Sequence, residues 1–410
     1  MKAMVMAAGV GSRLEPLTVN VPKPMVPVAT RPAMEHIIAL LRRHGVTEVV
    51  ANLWYLPESI ESHFGDGAAF GVSLRYSREE ELRGTAGGVL AAKALLLPAE
   101  NEAVAGVGGS GGAGGSVCRG AGEGAGSGSG GNGGGGTFLL IAGDALTSAN
   151  LTRLVEFHRE KGALVTIGLK PVADPSRFGV VVTADDGRIV AFQEKPRPGE
   201  ARSNLANTMI YVFEPEIFDY IPAVAEGAPD FGKHVFPRLV QEGVPFYGLA
   251  LDEYWCDIGT LTQYRLAHKD VLSGAVGIDI PGREISPGVW VGEGAEIHPA
   301  ATLWTPVLVG RGARVGRGVS VGPYSVIGDN CVIDEGAGIF QSVIWNSTHV
   351  GRDAKLEDCV VGSDCYLKPG SSLGEGVVLS DECVVEEGGV VKKNVKIWPR
   401  KTVKRRVAVW

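Results

Sequence analysis

The sequence has no CxxC pair, no apolar run long enough to cross a membrane and no excess of basic residues. Its six cysteines have no histidines at metal-ligand spacing, which argues against a zinc site and favours reduced thiols in a cytoplasmic protein. The apolar run 3–8 is too short for a signal-peptide core, so neither a targeting segment nor a membrane span is expected. The formal net charge of −7 argues against a general nucleic-acid binder, because such proteins carry a basic face.

One basic run lies near the C-terminal end, where residues 392–406 carry eight Lys or Arg and no acid. Such a run can contact RNA or an anionic membrane surface, but it is more often a solvated chain end. We therefore expect no nucleic-acid partner and assign residues 399–410 to a basic tail.

Glycine is concentrated in residues 101–136, where 18 of 36 positions are Gly. This composition is too costly in conformational entropy to order. The flanking segments belong to one α/β pattern, so we predict a disordered insertion within a domain, not a linker between two domains.

Residues 1–272 alternate short apolar runs rich in β-formers with amphipathic helical runs. The run 2–7 predicts a buried strand, and Met34, Ile37, Ile38 and Leu41 mark one face of the next helix. Further strands are predicted at 47–53, 72–76, 137–142, 163–169, 179–183 and 188–192, with helices at 57–64 and after the capping residue Asn150. The alternation predicts an α/β domain with a Rossmann-like, mostly parallel sheet that binds ligands at the carboxyl ends of its strands.

The second half of the chain has a six-residue period with two one-residue slips. Each hexad is one strand and one turn, so three hexads close a triangular coil with the aliphatic residue inside. The period predicts a parallel β-helix of about six coils within residues 283–398, and it resembles the left-handed β-helix family. The recurring positions are Ile285, Val291, Ile297, Leu303, Val309, Val315, Val321, Ile327, Ile333, Ile339, Ile344, Val350, Leu356, Val361, Leu367, Leu373, Leu379, Val385 and Val391.

The loop after the first predicted strand lacks the third glycine of a dinucleotide fingerprint and the GK[ST] of a Walker A loop. It does contain Gly9 and Gly11, and two long cations, Arg13 and Lys23, that a turn does not need. Backbone N–H groups and two cations together form a cradle for a polyphosphate. The alternative is that both cations are solvated surface charges.

This loop carries a resemblance to a known family. Residues 9–24, GVGSRLEPLTVNVPKP, match every fixed position of the signature GxGxRLxPLTxxxPKP of the sugar-1-phosphate nucleotidyltransferases. The motifs GTAG, GD, FGVV, EKP and WCDIGT of that family follow in order up to about residue 270. Within the family the chain is similar to mannose-1-phosphate guanylyltransferases, many of which carry a C-terminal β-helix. The resemblance implies transfer of a nucleotidyl group from a nucleoside triphosphate, expected to be GTP, to a sugar 1-phosphate, expected to be mannose 1-phosphate.

The resemblance also assigns the charged residues of the reaction. Asp144 follows a buried strand, where an Asp is commonly a turn or capping residue. In the family the matching Asp binds Mg²⁺ with the Asp of the WxDIG motif, here Asp257. Two carboxylates that converge from distant parts of the chain suit Mg²⁺, which binds phosphate oxygens and water with its other positions. Arg13 and Lys23 are then assigned to the triphosphate and Lys195 to the sugar phosphate.

The base and the sugar are assigned smaller contacts. We expect the backbone of a short turn at 84–86 to read the edge of a purine, and the sugar hydroxyls to be bound by residues after the GD motif. The alternative for the polar sugar residues is that they only cap strand ends. The nucleotide-binding residues are Ala8, Gly9, Gly11, Gly84, Thr85 and Ala86, and the sugar-binding residues are Gly179, Glu194 and Asn207.

Three other functions remain open from the sequence. One is adenylyl, thymidylyl or uridylyl transfer to glucose 1-phosphate: in the family, adenylyl enzymes use loops similar to GTAG, whereas thymidylyl and uridylyl enzymes tend to carry a Gln or a differently shaped loop. Another is a regulatory paralogue without catalysis, which has the same two-domain plan. Hexapeptide repeats also build acyltransferases, but the repeats here offer only the isolated His298 and His349 as a base. We expect the β-helix to serve assembly, as a contact between copies in a homo-oligomer, or regulation.

Overall fold

The computed structural model describes residues 1–98, 136–222 and 228–405. The predicted insertion, apart from Gly136, and residues 406–410 lie outside this range. Within the described residues no helix is both long and apolar enough to span a membrane.

The first half of the chain is built on one nine-stranded sheet. Its strands, numbered in chain order, are β1 Lys2–Met6, β2 Glu48–Leu53, β3 Ser73–Arg78, β4 Phe138–Ala142, β5 Val165–Pro171, β6 Gly179–Thr183, β7 Ile189–Glu194, β8 Leu205–Phe213 and β9 Phe246–Ala250. Strand β1 is central and pairs in parallel with β2 and β4, and β3 extends the parallel part. Strand β8 runs antiparallel to β4, β5 and β6, so the sheet is mostly parallel with a mixed side, as the alternating pattern predicts.

In the described residues, seven α-helices connect and cover this sheet: α1 Ala33–Arg43, α2 Pro57–Phe64, α3 Gly84–Ala91, α4 Lys93–Leu96, α5 Leu151–Glu160, α6 Phe236–Glu242 and α7 Leu261–Leu272. The side chain of Asn150 accepts a hydrogen bond from the Arg153 N–H and caps α5, which confirms the predicted cap. Short 3₁₀ turns at Ser12–Leu14 and Lys23–Met25 lie in the loop after β1.

The second half is a β-helix of short parallel strands stacked in three sheets. The first face contains Val289–Val291, Val307–Val309, Ser325–Ile327, Val343–Ile344, Val360–Val361, Val378–Leu379 and Lys396–Ile397. The second contains Glu296–Ile297, Arg314–Val315, Val332–Ile333, His349–Val350, Tyr366–Leu367, Val384–Val385 and Thr402–Val403. The third contains Thr302–Leu303, Ser320–Val321, Gly338–Phe340, Lys355–Glu357, Ser372–Leu373 and Val390–Val391.

The predicted slips fall at one corner of the β-helix. The turns after Phe340 and Glu357 are one residue shorter than elsewhere, and Gln341 and Asp358 adopt φ angles of 49° and 43° there. The shorter turns keep the aliphatic residues on both sides of each slip inside the coil, so the register of the core is preserved.

Both ends of the predicted repeat differ from the structure. Ile285 is 57% exposed, because its strand, Arg283–Ser286, pairs antiparallel on the edge of the first coil instead of entering the stack. At the other end Val403 is buried and its strand pairs with Val384–Val385, so the β-helix continues past residue 398 into the stretch expected to be a tail. Two further hexads, at Ile397 and Val403, explain the extension.

The first face of the β-helix packs on the sheet domain. Its outward residues join one buried cluster with residues of the loop after β1 and of α7; the cluster includes Leu14, Leu17, Val26, Val28, Tyr264, Ala267, Leu308, Val326, Val343, Trp345, Val360 and Val378. The two halves therefore share an apolar interface of ordinary core composition.

Candidate active site

The loop after β1 is held in a tight form by Gly11. This residue adopts φ 74°, and a Cβ there would lie 2.8 Å from the Lys23 Cβ, so only glycine fits. The Gly11 carbonyl accepts hydrogen bonds from the Leu14 N–H at 2.8 Å and the Thr18 hydroxyl at 3.0 Å. These bonds fix the 3₁₀ turn that carries Arg13, whose side chain is 59% exposed at the mouth of the site.

Lys23 lies between two carboxylates that come from distant parts of the chain. Its Nζ is 2.6 Å from Asp144 Oδ2 and 3.4 Å from Asp257 Oδ1, and Arg13 reaches Asp257 Oδ2 at 3.9 Å. Asp144 follows β4, and Asp257 ends a short strand, Trp255–Asp257, that pairs antiparallel with Ala145–Thr147. This two-stranded ladder brings the carboxylates together.

The charge on Lys23 is stable in this position. Burial opposes the charged form, but the carboxylates of Asp144 and Asp257 outweigh burial and hold the pKa of Lys23 above its ordinary value. An ammonium group therefore neutralises the paired carboxylates where a cation is expected.

The donor set fits a hard cation that needs only partial coordination by protein. In the described ranges no group of three or more His, Cys, Asp or Glu is arranged to bind a metal. Two carboxylates already converge on one positive charge, however, and Mg²⁺ is usually held by one or two carboxylates, with phosphate and water completing its octahedron. Asp144 and Asp257 thus suit Mg²⁺ bound together with a phosphorylated substrate.

A cavity of about 260 Å³ extends from these carboxylates across the carboxyl ends of the strands. The structure brings nine of the fourteen predicted site residues to its wall: Arg13, Lys23, Thr85, Asp144, Gly179, Glu194, Lys195, Asn207 and Asp257. The other predicted residues, Ala8, Gly9, Gly11, Gly84 and Ala86, do not line it.

Glu194 is held at the end of β7 by two close backbone segments. A Cβ on Gly179 would lie 3.0 Å from Glu194 Oε2, and one on Gly232 would lie 2.6 Å from the same atom. The carboxylate therefore occupies a slot that two glycines keep open. Lys195 follows with φ 45°, its side chain 65% exposed and its Nζ 3.5 Å from Glu194 Oε1.

Asn207 is placed at the cavity, but its amide is already engaged. Its Oδ1 accepts the Met209 N–H at 3.0 Å, and its Nδ2 donates to the Tyr211 hydroxyl at 2.7 Å. These bonds span the irregular part of β8 between Asn207 and Tyr211, where Met209 adopts φ 57°. One N–H and one lone pair of the amide are left for a ligand, fewer than a free side chain would offer.

The expected turn at 84–86 is instead the first turn of α3. The N–H groups of Ala86 and Gly87 donate to the Pro229 carbonyl at 3.1 and 3.2 Å, and Ala86 is fully buried. The Ala86 donor is therefore occupied by the protein and is not available to a base in this structure. The prediction of free backbone donors at Ala86 is wrong, because a remote segment packs against this turn.

Sequence reasoning missed Asp230, which lines the same cavity. Its Oδ2 accepts the Thr85 hydroxyl at 2.9 Å, and its Oδ1 accepts the Lys233 N–H at 3.1 Å. The only local signal was an Asp before a helical turn, which is also the ordinary signal of a cap. Arg177 also lines the cavity, and so does Trp255, the first residue of the WCDIGT motif, to which no role was assigned.

Comparison with known proteins shows the family of the chain. The family model for nucleotidyl transferases matches residues 2–108 and 127–274, and the model for the GMPPB C-terminal domain matches residues 303–409. A nucleotidyl-transfer domain joined to a β-helix is thus the class that the fold and the site define. The chain belongs to the sugar-1-phosphate nucleotidyltransferase family.

The chain is similar to relatives named for different nucleotidyl transfers. The UTP–glucose-1-phosphate uridylyltransferase of Synechocystis is 40% identical over 91% of this chain and 90% of its own length. The mannose-1-phosphate guanylyltransferase of Mycobacterium tuberculosis is 32% identical over 76% of this chain and 75% of its own. The mannose-1-phosphate guanylyltransferase 1 of Arabidopsis thaliana is 28% identical over 97% of each.

A solved structure shares the fold. It is that of a Bacillus anthracis protein assigned as a glucose-1-phosphate thymidylyltransferase, with a TM-score of 0.53 and 23% identity over 68% of this chain and 96% of that one.

Proposed function

We propose that this protein transfers a nucleotidyl group from a nucleoside triphosphate to a hexose 1-phosphate and releases pyrophosphate. The observation that carries the proposal is Lys23 between Asp144 and Asp257, with Arg13 on one side and the cavity of Glu194 on the other. The cations that would bind two anionic substrates lie beside the carboxylates that would bind a metal, at the carboxyl ends of the strands. That combination is what joining two phosphates requires.

The transfer needs one bond to form and one to break. A phosphate oxygen of the sugar 1-phosphate attacks the α-phosphorus in line, and the bond from that phosphorus to the bridging oxygen breaks as pyrophosphate leaves. The attacking oxygen is already ionised, so no general base is required. Positioning and charge neutralisation therefore carry the catalysis.

Asp144 and Asp257 would hold Mg²⁺, which would supply positive charge against the charge of the reacting phosphates. When the substrate enters, the ammonium group of Lys23 exchanges its carboxylate partners for a phosphate. Arg13, exposed at the mouth, binds the phosphates that leave. Lys195 is exposed beside Glu194 and binds the phosphate of the sugar.

The sugar is bound in the cavity between Glu194 and Asp230. Carboxylate oxygens accept hydrogen bonds from sugar hydroxyls, and Gly179 and Gly232 leave room for the Glu194 carboxylate at the wall of the cavity. The remaining amide groups of Asn207 add one donor and one acceptor. Thr85 connects this half of the site to the nucleotide half through its hydrogen bond to Asp230.

We propose UTP and glucose 1-phosphate as the first substrate pair, because the Synechocystis uridylyltransferase is 40% identical over nine-tenths of both chains. GTP and mannose 1-phosphate, the pair expected from the sequence motifs, are the second candidate. The match of the C-terminal half to the GMPPB model and the two guanylyltransferases above support it. The resemblance of the GTAG motif to that of purine-accepting members also favours the second candidate.

The experiment is pyrophosphate release from the full chain, with each of five nucleoside triphosphates against glucose, mannose and fucose 1-phosphates. We expect release that needs both substrates and a divalent cation, with UTP and glucose 1-phosphate the fastest pair. EDTA is expected to stop it and Mg²⁺ to restore it. Faster turnover of GTP with mannose 1-phosphate would select the second candidate, and no release with any pair would contradict both.

A homo-oligomer formed through the β-helix and a cytoplasmic location remain predictions. Exposed aromatic residues on the β-helix, including the stacked pair Trp304 and Phe340, support a contact between copies. Sedimentation of the wild type and of Trp304→Arg tests this: a lower mass for the variant supports the contact, and a monomeric wild type contradicts it.

A further inference from the structure

The segment that carries Arg13 and Lys23 rests on the β-helix. Leu14 and Leu17 from this segment share one buried cluster with Val360 and Val378 from the first face of the β-helix. The catalytic cations therefore extend from a loop whose underside is part of the contact between the two halves of the chain.

A buried hydrogen bond joins the β-helix to the centre of this loop. The Ser380 hydroxyl donates to the Pro16 carbonyl at 2.8 Å, and Ser380 is fully buried. Pro16 lies three residues after Arg13, and the only other donor to its carbonyl in the described chain is the Val19 N–H at 3.4 Å. A buried carbonyl left with that weak bond would cost free energy. Ser380 therefore fixes the position of the Pro16 carbonyl relative to the β-helix.

A second connection reaches the far end of the loop. Trp345 of the β-helix donates its indole N–H to the Tyr264 hydroxyl at 2.8 Å, and that hydroxyl donates to the Pro27 carbonyl at 2.6 Å. Pro27 lies four residues after Lys23. Both connections end on backbone carbonyls of the loop. They therefore hold the loop backbone and leave its side chains free to bind a ligand.

We propose that the β-helix sets the position of the triphosphate-binding loop, with Ser380 and Tyr264 as positioning residues for Arg13 and Lys23. The kinetic part of this inference rests on the proposed function. The structural part, the order of the loop, does not. Neither residue lines the cavity of the site, so each acts through the backbone of the loop alone.

The test compares Ser380→Ala with Ser371→Ala in the full chain. Ser371 is a matched control, because it is buried in the same β-helix and its hydroxyl has no hydrogen-bond partner among the described residues. Ser380→Ala is expected to raise the KM for the nucleoside triphosphate about fivefold to tenfold, the effect of one lost buried hydrogen bond, and to leave the KM for the sugar phosphate unchanged. Ser371→Ala is expected to change neither.

Hydrogen exchange of the amides at 12–19 gives a readout that needs no activity. Ser380→Ala is expected to speed exchange there about fivefold to tenfold, and Ser371→Ala to leave it unchanged. Tyr264→Phe removes the second connection and is expected to speed exchange at 25–29, which decides the inference even where Ser380→Ala does not fold. Equal exchange in the variants and the wild type would overturn it. Faster exchange in a protein whose wild type releases no pyrophosphate would support the positioning and reject the proposed function.

Discussion

The Nζ of Lys23, in the loop after β1, lies 2.6 Å from Oδ2 of Asp144, which follows β4, the parallel neighbour of β1 in the sheet. The same nitrogen is 3.4 Å from Asp257 Oδ1. The buried ammonium group of Lys23 thus lies between the two carboxylates that are proposed to bind the metal. In the proposed reaction it also binds a phosphate. The proposed reaction depends on this arrangement.

Replacement of Lys23 by methionine is expected to lower kcat/KM at least about a hundredfold, because the triphosphate loses a preorganised cation. It also leaves Asp144 and Asp257 facing each other without neutralisation. Steady-state pyrophosphate release measures the loss. The matched control is Lys355→Met, since Lys355 is exposed on the β-helix away from the site; equal activity of the two variants would remove Lys23 from the mechanism.

Gly232→Ala is expected to raise the KM for the sugar phosphate about tenfold and to leave the KM for the nucleotide unchanged. The new Cβ would lie 2.6 Å from Glu194 Oε2, so the carboxylate must leave its slot and lose its contact with the sugar. Gly338→Ala is the control, because a Cβ there meets only an ordinary contact at 3.4 Å. Unchanged sugar-phosphate kinetics in Gly232→Ala would show that Glu194 does not bind the sugar.

The stability of the protein is expected to fall in mild acid because of His268. Burial is the main cause that lowers the pKa of His268 to about 3, and its Nδ1 accepts the Ala29 N–H. The unfolded chain takes up a proton near pH 6.5, whereas the folded protein does not. The stabilisation is therefore complete above pH 6.5 and is lost as the pH falls toward 3.

Urea unfolding at pH 7 and pH 5 measures this effect. The wild type is expected to lose about 2 kcal/mol more than His268→Gln between the two values, whereas His298→Gln, at an exposed position, should behave as the wild type. The same pH dependence in wild type and His268→Gln would mean that other groups cause the acid loss.

The glycine-rich residues 101–136 are expected to be dispensable for activity. The described ends of this stretch lie close together, since a Cβ on Gly136 would be 3.5 Å from Leu97 Cδ2. A short turn can therefore join them, and shortening a loop changes its closure entropy only slightly. Kinetics of the shortened chain that match those of the full chain would support this; a loss of turnover in a folded variant would assign the segment a function.

Local patterns in the sequence predicted most of the fold. The six-residue period located the coils and both slips, because each inward residue contacts the next coil at a fixed spacing. The period could not show that Ile285 lies outside the stack, since an edge strand has the same local sequence as a buried one. It also continued through Ile397 and Val403, which the basic composition of that stretch concealed.

The charged residues of the site were likewise predictable, because their motifs are local and specific. The contacts between remote segments were not. Asp230 lies at the cavity wall and accepts the hydroxyl of Thr85 from a remote segment, and the Ala86 N–H is occupied because Pro229 packs against it. The bond from Ser380 to Pro16 joins opposite ends of the chain, and no pattern along the sequence encodes it.

Pyrophosphate release by the wild type and by Asp257→Asn tests the central claim most directly. With UTP and glucose 1-phosphate, or with GTP and mannose 1-phosphate, the wild type should release pyrophosphate only when sugar phosphate and Mg²⁺ are both present. Asp257→Asn should require far more Mg²⁺ for half-maximal rate, because it removes one of the two carboxylates that hold the cation. Release that is independent of the sugar phosphate, or an unchanged Mg²⁺ requirement in Asp257→Asn, would contradict the account.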